Sequence, residues 1–265
     1  MSGEARRAQI LEYLCDRETA SVEELARRFG VSRMTVHRDL DRLAEMRCVR
    51  KVRGGVTVLP SVVFESNFSF RERRQQAEKR ALARRIAELV EPGMTLVLDD
   101  STTTRALAEF LPERKPVTVI TNAAGLVNTL IRQEEIVVIC LGGRYDPVTD
   151  AFLGLACELA MERLRADLGV FSTAAVHGGA AYLHDSELVR AKLAMKSAVD
   201  RSLLAFDHTK FGKSALHLFA RLDEFDRVFT TEGADPQLVE ALSAAGVALE
   251  LVPLAESGEL RRRSA

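Results

Sequence analysis

The sequence predicts an α/β protein in two parts: a small N-terminal helical domain closed by a basic hairpin, then a larger domain with a largely parallel sheet between helical layers. Three observations predict it. The first sixty residues hold short amphipathic segments separated by tight turn signals. Beyond Gly93, apolar runs of strand length alternate with amphipathic helical stretches. A chain of 265 residues with 47% hydrophobic content is also long and apolar enough for two cores.

Taken in order, Ile10, Leu11 and Leu14 predict a first helix over Arg6 to Cys15. Ser21 with Glu24 matches the capping box that opens a helix, Leu25 and Phe29 form its buried face, and Gly30 stands where a glycine cap ends one. Only Val31 and Ser32 separate it from a third helix, N-capped by Ser32, whose inward stripe is Val36, Leu40 and Leu43. Met34, Arg38 and Arg42 lie opposite the stripe, with Thr35 and His37 on its flanks. Two helices joined by so tight a turn make a helix-turn-helix. The segment CVRKVRGGVTVL, Cys48 to Leu59, alternates Val with Arg or Lys around Gly54-Gly55, the signal of a hairpin, and a basic hairpin beside such a helix is a wing.

The chemistry of these surfaces suits the major groove of double-stranded DNA. From Val31 to Val56 there are 7 Lys and Arg against 3 Asp and Glu, while the whole chain carries a net charge of -1. Positive charge is thus concentrated where DNA contact is expected, and the remainder is too acidic for a general polyanion binder. The expected DNA contacts are Ser32, Arg33, Thr35, His37 and Arg38 on the helix, with Arg50, Lys51 and Arg53 on the hairpin. A solvated charged face would account for one such helix; capping box, Gly30 turn, basic helix and basic hairpin together favour DNA.

Cys15, Cys48, Cys140 and Cys157 show no C-x-x-C or zinc-ligand spacing, so reduced structural thiols are expected and no metal or cofactor is implied. No apolar run approaches the roughly 18 to 20 residues of a membrane span, and MSGEARRAQ lacks the apolar region of a signal peptide; the cytoplasm is the expected compartment.

The expected divisions are residues 1–59 for the first domain, 60–75 for a linker and 76–257 for the second domain. PSVVFESNFSF, Pro60 to Phe70, has no helical period and reads as an extended connection. A long charged helix is expected from Arg71 to Glu91, facing inward through Ala83, Ile86, Ala87 and Val90 and stopped by Pro92-Gly93. Seven strands follow: Thr95 to Leu98, Val117 to Thr121, Ile136 to Leu141, Leu168 to Ser172, Leu203 to Phe206, Arg227 to Thr230 and Val247 to Val252. Helices are expected over Thr103 to Leu111, Ala123 to Arg132, Leu155 to Leu164, Glu187 to Asp200 and Pro236 to Ala245. Such alternation gives a Rossmann-like αβα sandwich, which binds ligands at the carboxyl ends of its strands.

Those ends are polar. Asp99-Asp100-Ser101-Thr102-Thr103-Thr104 follows the first strand and runs into a helix, Thr121-Asn122 ends the second, Gly142-Gly143-Arg144 the third, and Asp207-His208-Thr209-Lys210 follows a later one. Hydroxyls and free backbone amides at a helix start suit a phosphate, and glycines let a ligand approach the backbone. Each tip alone reads as an ordinary cap, turn or surface pair. Four from one sheet edge describe a pocket for a small hydroxylated phosphate ester. Lys192 and Lys196, one turn apart, read as a solvated face, and His177, His184, His208 and His217 show no ligand spacing.

RRAQILEYL, VEELARRFGVSRMTVHRDLDRLAE and VRKVRGGV resemble the N-terminal winged helix of the DeoR family of bacterial transcriptional regulators, whose recognition helix reads approximately VS-x-x-T-[IV]-R-R-D-L. Ser32, Thr35, Arg38 and Asp39 match that pattern; His37 stands where the family has Arg, and Arg47 where it has Gly. LDDSTTT, VITN, LGGRY, ELVRAKLAMKSA and LAFDHTKFG are similar, in order, to the family's effector domain, with Ser101 in place of Gly. The resemblance implies an effector domain similar to ribose-5-phosphate isomerase that senses phosphorylated sugars, and it places a lysine near Lys192 at the pocket. The isomerase carries its catalytic carboxylates on a D-G-A-D-E loop. Here that loop is Ser172-Thr173-Ala174-Ala175-Val176, which has no acid or base for proton transfer, so binding without turnover is expected.

The expected protein is therefore a DNA-binding repressor of a carbohydrate operon, a homo-oligomer (dimer or tetramer) whose DNA affinity responds to a sugar phosphate bound by Asp99, Ser101 to Thr104, Thr121, Asn122, Gly142, Gly143, Arg144, Lys192, Asp207 and Lys210. Two rivals are a sugar-phosphate enzyme with a DNA-binding appendage and a winged-helix redox sensor for NAD(H). No G-x-x-x-x-G-K-[ST] and no strand-borne G-x-G-x-x-G supports either.

Overall fold

The computed structural model describes residues 3–17, 19–45, 48–58 and 68–254. The chain divides into two compact units, Met1–Arg71 and Glu72–Ala265. In the first, α1 (Gly3–Arg17), α2 (Val22–Phe29) and α3 (Arg33–Glu45) surround a core of Ile10, Leu14, Leu25, Val36, Leu40 and Leu43, all buried. Each such side chain contributes about 1.5–3 kcal/mol relative to exposure. Ser21 Oγ accepts from the Glu24 amide at 3.1 Å to open α2. Gly30 closes it in the left-handed conformation at φ 64, its amide donating to the Ala26 carbonyl.

The wing is a three-stranded antiparallel sheet in the order β1 (Thr19–Ser21), β3 (Gly55–Val58), β2 (Val49–Val52). Strand β1 is not evident in the sequence. The expected hairpin is present, with its turn one residue earlier than the Gly-Gly pair suggests. Val52 pairs with Gly55, leaving Arg53-Gly54 as the two-residue turn with Gly54 at φ 75. Gly55 is itself a strand residue, because a Cβ there would lie 2.4 Å from the Ala20 carbonyl oxygen of β1. Arg47 and the first eight residues of the expected extended connection (60–67) lie outside the described residues.

The expected helix from Arg71 to Glu91 is two helices, α4 (Phe68–Arg73) and α5 (Gln76–Ala87). Gln75, at φ 50, breaks the hydrogen-bonded run where no Pro or Gly announces it. Ala83, Ile86, Ala87 and Val90 are buried as expected.

The second unit holds a seven-stranded parallel sheet. Its strands are β4 (Thr95–Leu98), β5 (Val117–Thr121), β6 (Ile136–Cys140), β9 (Ala166–Phe171), β12 (Val199–Phe206), β14 (Arg227–Thr231) and β15 (Leu249–Val252), in the order β15-β14-β12-β9-β4-β5-β6. All seven strands expected from the sequence are these. One face packs on α5 and the helix α7 (Ala124–Leu130), the other on α8 (Leu155–Met161) and α9 (Ser186–Ser197), giving the three layers. The expected helix from Thr103 is cut to a single turn, α6 (Thr102–Arg105), followed by 3-10 turns through Glu113. Helix α10 (Pro236–Ala244) precedes β15. Two small antiparallel additions carry no clear sequence signal: the hairpin β7 (Arg144–Asp146) with β8 (Ala151–Leu153), and the sheet β10 (Ala175–His177), β11 (Ala180–Leu183), β13 (His217–Arg221).

Strand order fixes where a crevice opens. From β4 the chain runs outward to β5 and β6, then returns to the opposite side of β4 to lay down β9, β12, β14 and β15. Adjacent β4 and β9 therefore form the topological switch point, outside whose carboxyl ends α/β sheets bind ligands.

Candidate nucleic-acid interface and strand-tip site

Helix α3 is anchored from within by more than its apolar stripe. Asp39 lies among Val36, Leu40 and Leu43 and is buried; its carboxylate accepts from Arg6 Nε at 2.6 Å and Arg7 Nη1 at 3.5 Å. Two arginines of α1 thus clamp the helix whose outer face carries the expected DNA contacts. Ser32 Oγ accepts from the Thr35 amide at 3.2 Å and meets Thr35 Oγ1 at 3.0 Å, an N-cap built from two of those residues. Arg33, His37 and Arg38 are exposed on α3, and Arg50, Lys51 and Arg53 on the wing. Arg33 pairs with Glu23 at 3.2 Å and Lys51 with Asp41. The hydroxyl of Tyr13 donates to Glu24, which holds that carboxyl below its ordinary range. Arg28 stacks over the Tyr13 ring at 4.3 Å, tying α1 to α2.

At the switch point stands a buried ion pair. Lys192 of α9, 2% exposed, donates from Nζ to Asp99 Oδ2 at 2.7 Å and to the Ser172 carbonyl at 3.0 Å, with Asp100 Oδ1 at 3.6 Å. The solvated-face reading of Lys192 is therefore corrected: the i, i+4 spacing with Lys196 hides a helix face turned into the sheet. Asp99 is fully buried and accepts in addition from the Ser172 amide at 2.8 Å, the Ser101 amide at 3.0 Å and Thr104 Oγ1 at 2.8 Å. Burial pushes the Asp99 carboxyl up, but the Lys192 charge and these hydrogen bonds outweigh it, and the group lies below its ordinary value.

Ser101 takes an ordinary extended conformation, φ -76 and ψ 151, and its Oγ caps α6 by accepting from the Thr104 amide at 3.0 Å. A serine here needs none of glycine's freedom. Thr102 and Thr103 are buried beside it, and Ser172 Oγ donates to Thr103 Oγ1 at 3.3 Å. One strand over, Thr121 Oγ1 accepts from the Ala123 amide at 3.0 Å. Asn122 is fully buried; its amide donates to the Phe152 carbonyl at 3.3 Å, while Oδ1 has no hydrogen-bond partner among the described residues. Beyond β6, Gly142 and Gly143 have φ 69 and 116, and a Cβ on Gly143 would meet the Leu153 carbonyl oxygen at 2.6 Å.

The structure thus joins Asp99, Ser101, Thr103, Thr104 and Lys192 in one connected cluster, with Thr121, Asn122 and the two glycines at the adjoining tips. Arg144 stands apart on β7, exposed and paired with Glu187. At the β12 tip, the Asp207 carboxylate accepts from the amide and hydroxyl of Thr209 and caps the 3-10 turn that contains Lys210. Sequence reasoning left out Ser172, whose amide and carbonyl both enter the cluster. It also left out Asp39's clamp, although Asp39's position on the apolar stripe is a readable signal. Among the described residues no helix is long and apolar enough to cross a membrane.

Comparison with known proteins agrees with this layout. The DeoR-like helix-turn-helix domain matches residues 6–62 and the DeoR C terminal sensor domain residues 74–232. The glycerol-3-phosphate regulon repressor of Escherichia coli (strain K12) is 30% identical over 243 residues, 91% of this chain and 96% of its own. The HTH-type transcriptional regulator IolR of Bacillus subtilis (strain 168) is 29% identical over 238 residues, 88% of this chain and 92% of its own. Among solved structures, ribose 5-phosphate isomerase A from Methanocaldococcus jannaschii aligns at TM-score 0.36 and 14% identity, over 50% of this chain and 53% of that one. With two domain models in order along it and a relative at 30% identity spanning nearly all of it, the chain belongs to the DeoR family of transcriptional regulators.

Proposed function

We propose that the protein is a repressor of a carbohydrate-catabolic operon, acting in the cytoplasm on double-stranded operator DNA, and that a phosphorylated sugar bound at the strand tips changes its DNA affinity. The observation that carries the sensing half is the buried Lys192–Asp99 pair at the β4/β9 switch point. Withdrawing an ammonium and a carboxylate from water costs several kcal/mol per ion, and hydrophobic residues would stabilise that position as well or better. A desolvated pair placed where such sheets bind ligands points to binding rather than to stability. Around it, Thr102 and Thr103 at the start of α6 suit a phosphate, the Asn122 acceptor suits a sugar hydroxyl, and Gly142 leaves open space where a side chain would stand, while Gly143 lets the Leu153 carbonyl approach. Arg144, Asp207 and Lys210 complete the proposed binding surface. Ser172 to Val176 offers no acid or base, so the sugar is bound without isomerisation.

Regulation follows from linkage in a homodimer. An effector that favours an arrangement whose two α3 helices miss successive half-sites weakens DNA binding by its coupling energy, about 2–3 kcal/mol for a change of roughly 30- to 150-fold. A thermal-shift screen of sugar phosphates, free sugars and NAD(H), followed by operator titration with any stabilising compound, tests this. One phosphosugar is expected to raise the melting temperature and shift operator affinity. Silence from every phosphosugar, or operator affinity unmoved at saturation, overturns the sensing reading.

A further inference from the structure

The outer face of α3 divides its side chains into two groups. Arg33 is held by Glu23 at 3.2 Å and Arg42 by Glu45 at 2.8 Å, while the Thr35 hydroxyl is engaged by Ser32. Lys51 of the wing is held by Asp41 of the same helix. Met34, His37 and Arg38 remain: all three are exposed, and among the described residues none makes an ion pair or side-chain hydrogen bond. Their spacing, i, i+3 and i+4, makes them one contiguous patch on the first two turns. That is the part of a helix-turn-helix recognition helix that meets base edges.

Within the patch Met34 is the anomaly. It is 65% exposed, more than any other large hydrophobic residue described in the N-terminal unit. The stripe of Val36, Leu40 and Leu43 fixes the rotation of α3 and turns Met34 away from the core. A flexible thioether held in water between a His and an Arg has no packing role in its own unit. In the major groove the apolar group available to it is the C5-methyl of thymine. Resting on the DNA-binding reading, we propose that Met34 is a specificity-determining residue that reads a thymine through its 5-methyl group, beside base-edge contacts from Arg38 and His37.

The full-length chain is used to select duplexes from a random pool, and the enriched site is remade with single thymine-to-deoxyuridine replacements. Loss of one methyl contact should weaken wild-type binding about fourfold at one thymine per half-site. The same replacement should be neutral in Met34→Ala and Met34→Gln and retain its effect in Met34→Leu, all with unchanged melting temperature. A site insensitive to uracil at every thymine, or a sensitivity that persists in Met34→Ala, overturns the assignment and leaves the regulator reading intact. Failure to enrich any sequence overturns both.

Discussion

Lys192 and Asp99 stand 93 residues apart in the chain and meet at 2.7 Å, ammonium against carboxylate, both withdrawn from water. Lys192→Met is expected to leave the Asp99 carboxylate buried with its counter-ion gone and to cost about 3–5 kcal/mol, read as a fall in the urea midpoint. Asp99→Asn combined with Lys192→Met should recover at least half of that loss. Equal destabilisation of single and double variants would assign the cost to packing around the lysine stem instead.

The same pair sets an acid limb. Folded Asp99 ionises below its ordinary value of 3.8, so the unfolded chain takes up the proton first. Its contribution is complete above that pH and is lost as pH falls through the lower folded value. Equilibrium unfolding below about pH 4 should therefore show a shallower dependence in Asp99→Asn than in wild type. Parallel acid limbs would count against the assignment.

Asp39→Ala removes the acceptor shared by Arg6 and Arg7 and leaves α3 held by its apolar stripe and its exposed ion pairs. A loss of about 1.5–3 kcal/mol is expected for hydrogen bonds to a charged group. It should appear as earlier proteolysis of the N-terminal unit, with hydrogen exchange in the sheet of the second unit unchanged.

Arg38 and Arg50 should separate base reading from phosphate contact. Arg38→Ala, at the exposed patch of α3, is expected to cost about 1–3 kcal/mol and to relax preference at one base pair. Arg50→Ala, on the wing, should weaken binding to all sequences alike and reduce the salt slope by about 1. Titrations of selected and scrambled duplexes at several salt concentrations distinguish them.

Thiol chemistry gives a further check. Burial pushes the Cys157 thiol up to about 11, and burial also raises that of Cys48, whereas Cys140 is exposed. Iodoacetamide at pH 8 should modify Cys140 more than about 100-fold faster than Cys157 in the native protein, with the gap closing in denaturant. Peptide mapping by mass spectrometry reads both sites at once.

Much of this architecture was legible because parallel strands buried on both faces must be continuous apolar runs, and seven such runs separated by turn signals leave little freedom. The additions β7, β8, β10, β11 and β13 were not legible. They are three to five residues long, and their pairing is decided by neighbours such as Arg221 opposite Ala180 rather than by periodicity. In the site, Asp99 and the Ser101 to Thr104 run announced themselves at a strand tip. Lys192 came to the site only through the family resemblance, because its partner is a carboxylate at a strand tip 93 residues away, and local spacing carries no trace of that. Asp39 was visible on the stripe, but its arginine partners follow only from how α1 crosses α3. At Gln75 the break in the helix has no local signal at all.

The separation of Asp99 from Lys192 also has a consequence on the ribosome. At roughly 5–20 residues per second, about 5 to 20 seconds pass between the synthesis of the acid and that of its base. During that interval β5, β6 and β9 join β4, but the carboxylate at the centre of the future sheet has no counter-ion and resists dehydration. Among the described residues the N-terminal unit draws its core from nothing downstream of its own wing, so it is able to close while the larger unit is still waiting. Every residue of the DNA-reading module is therefore on the nascent chain before the part that is to regulate it is complete.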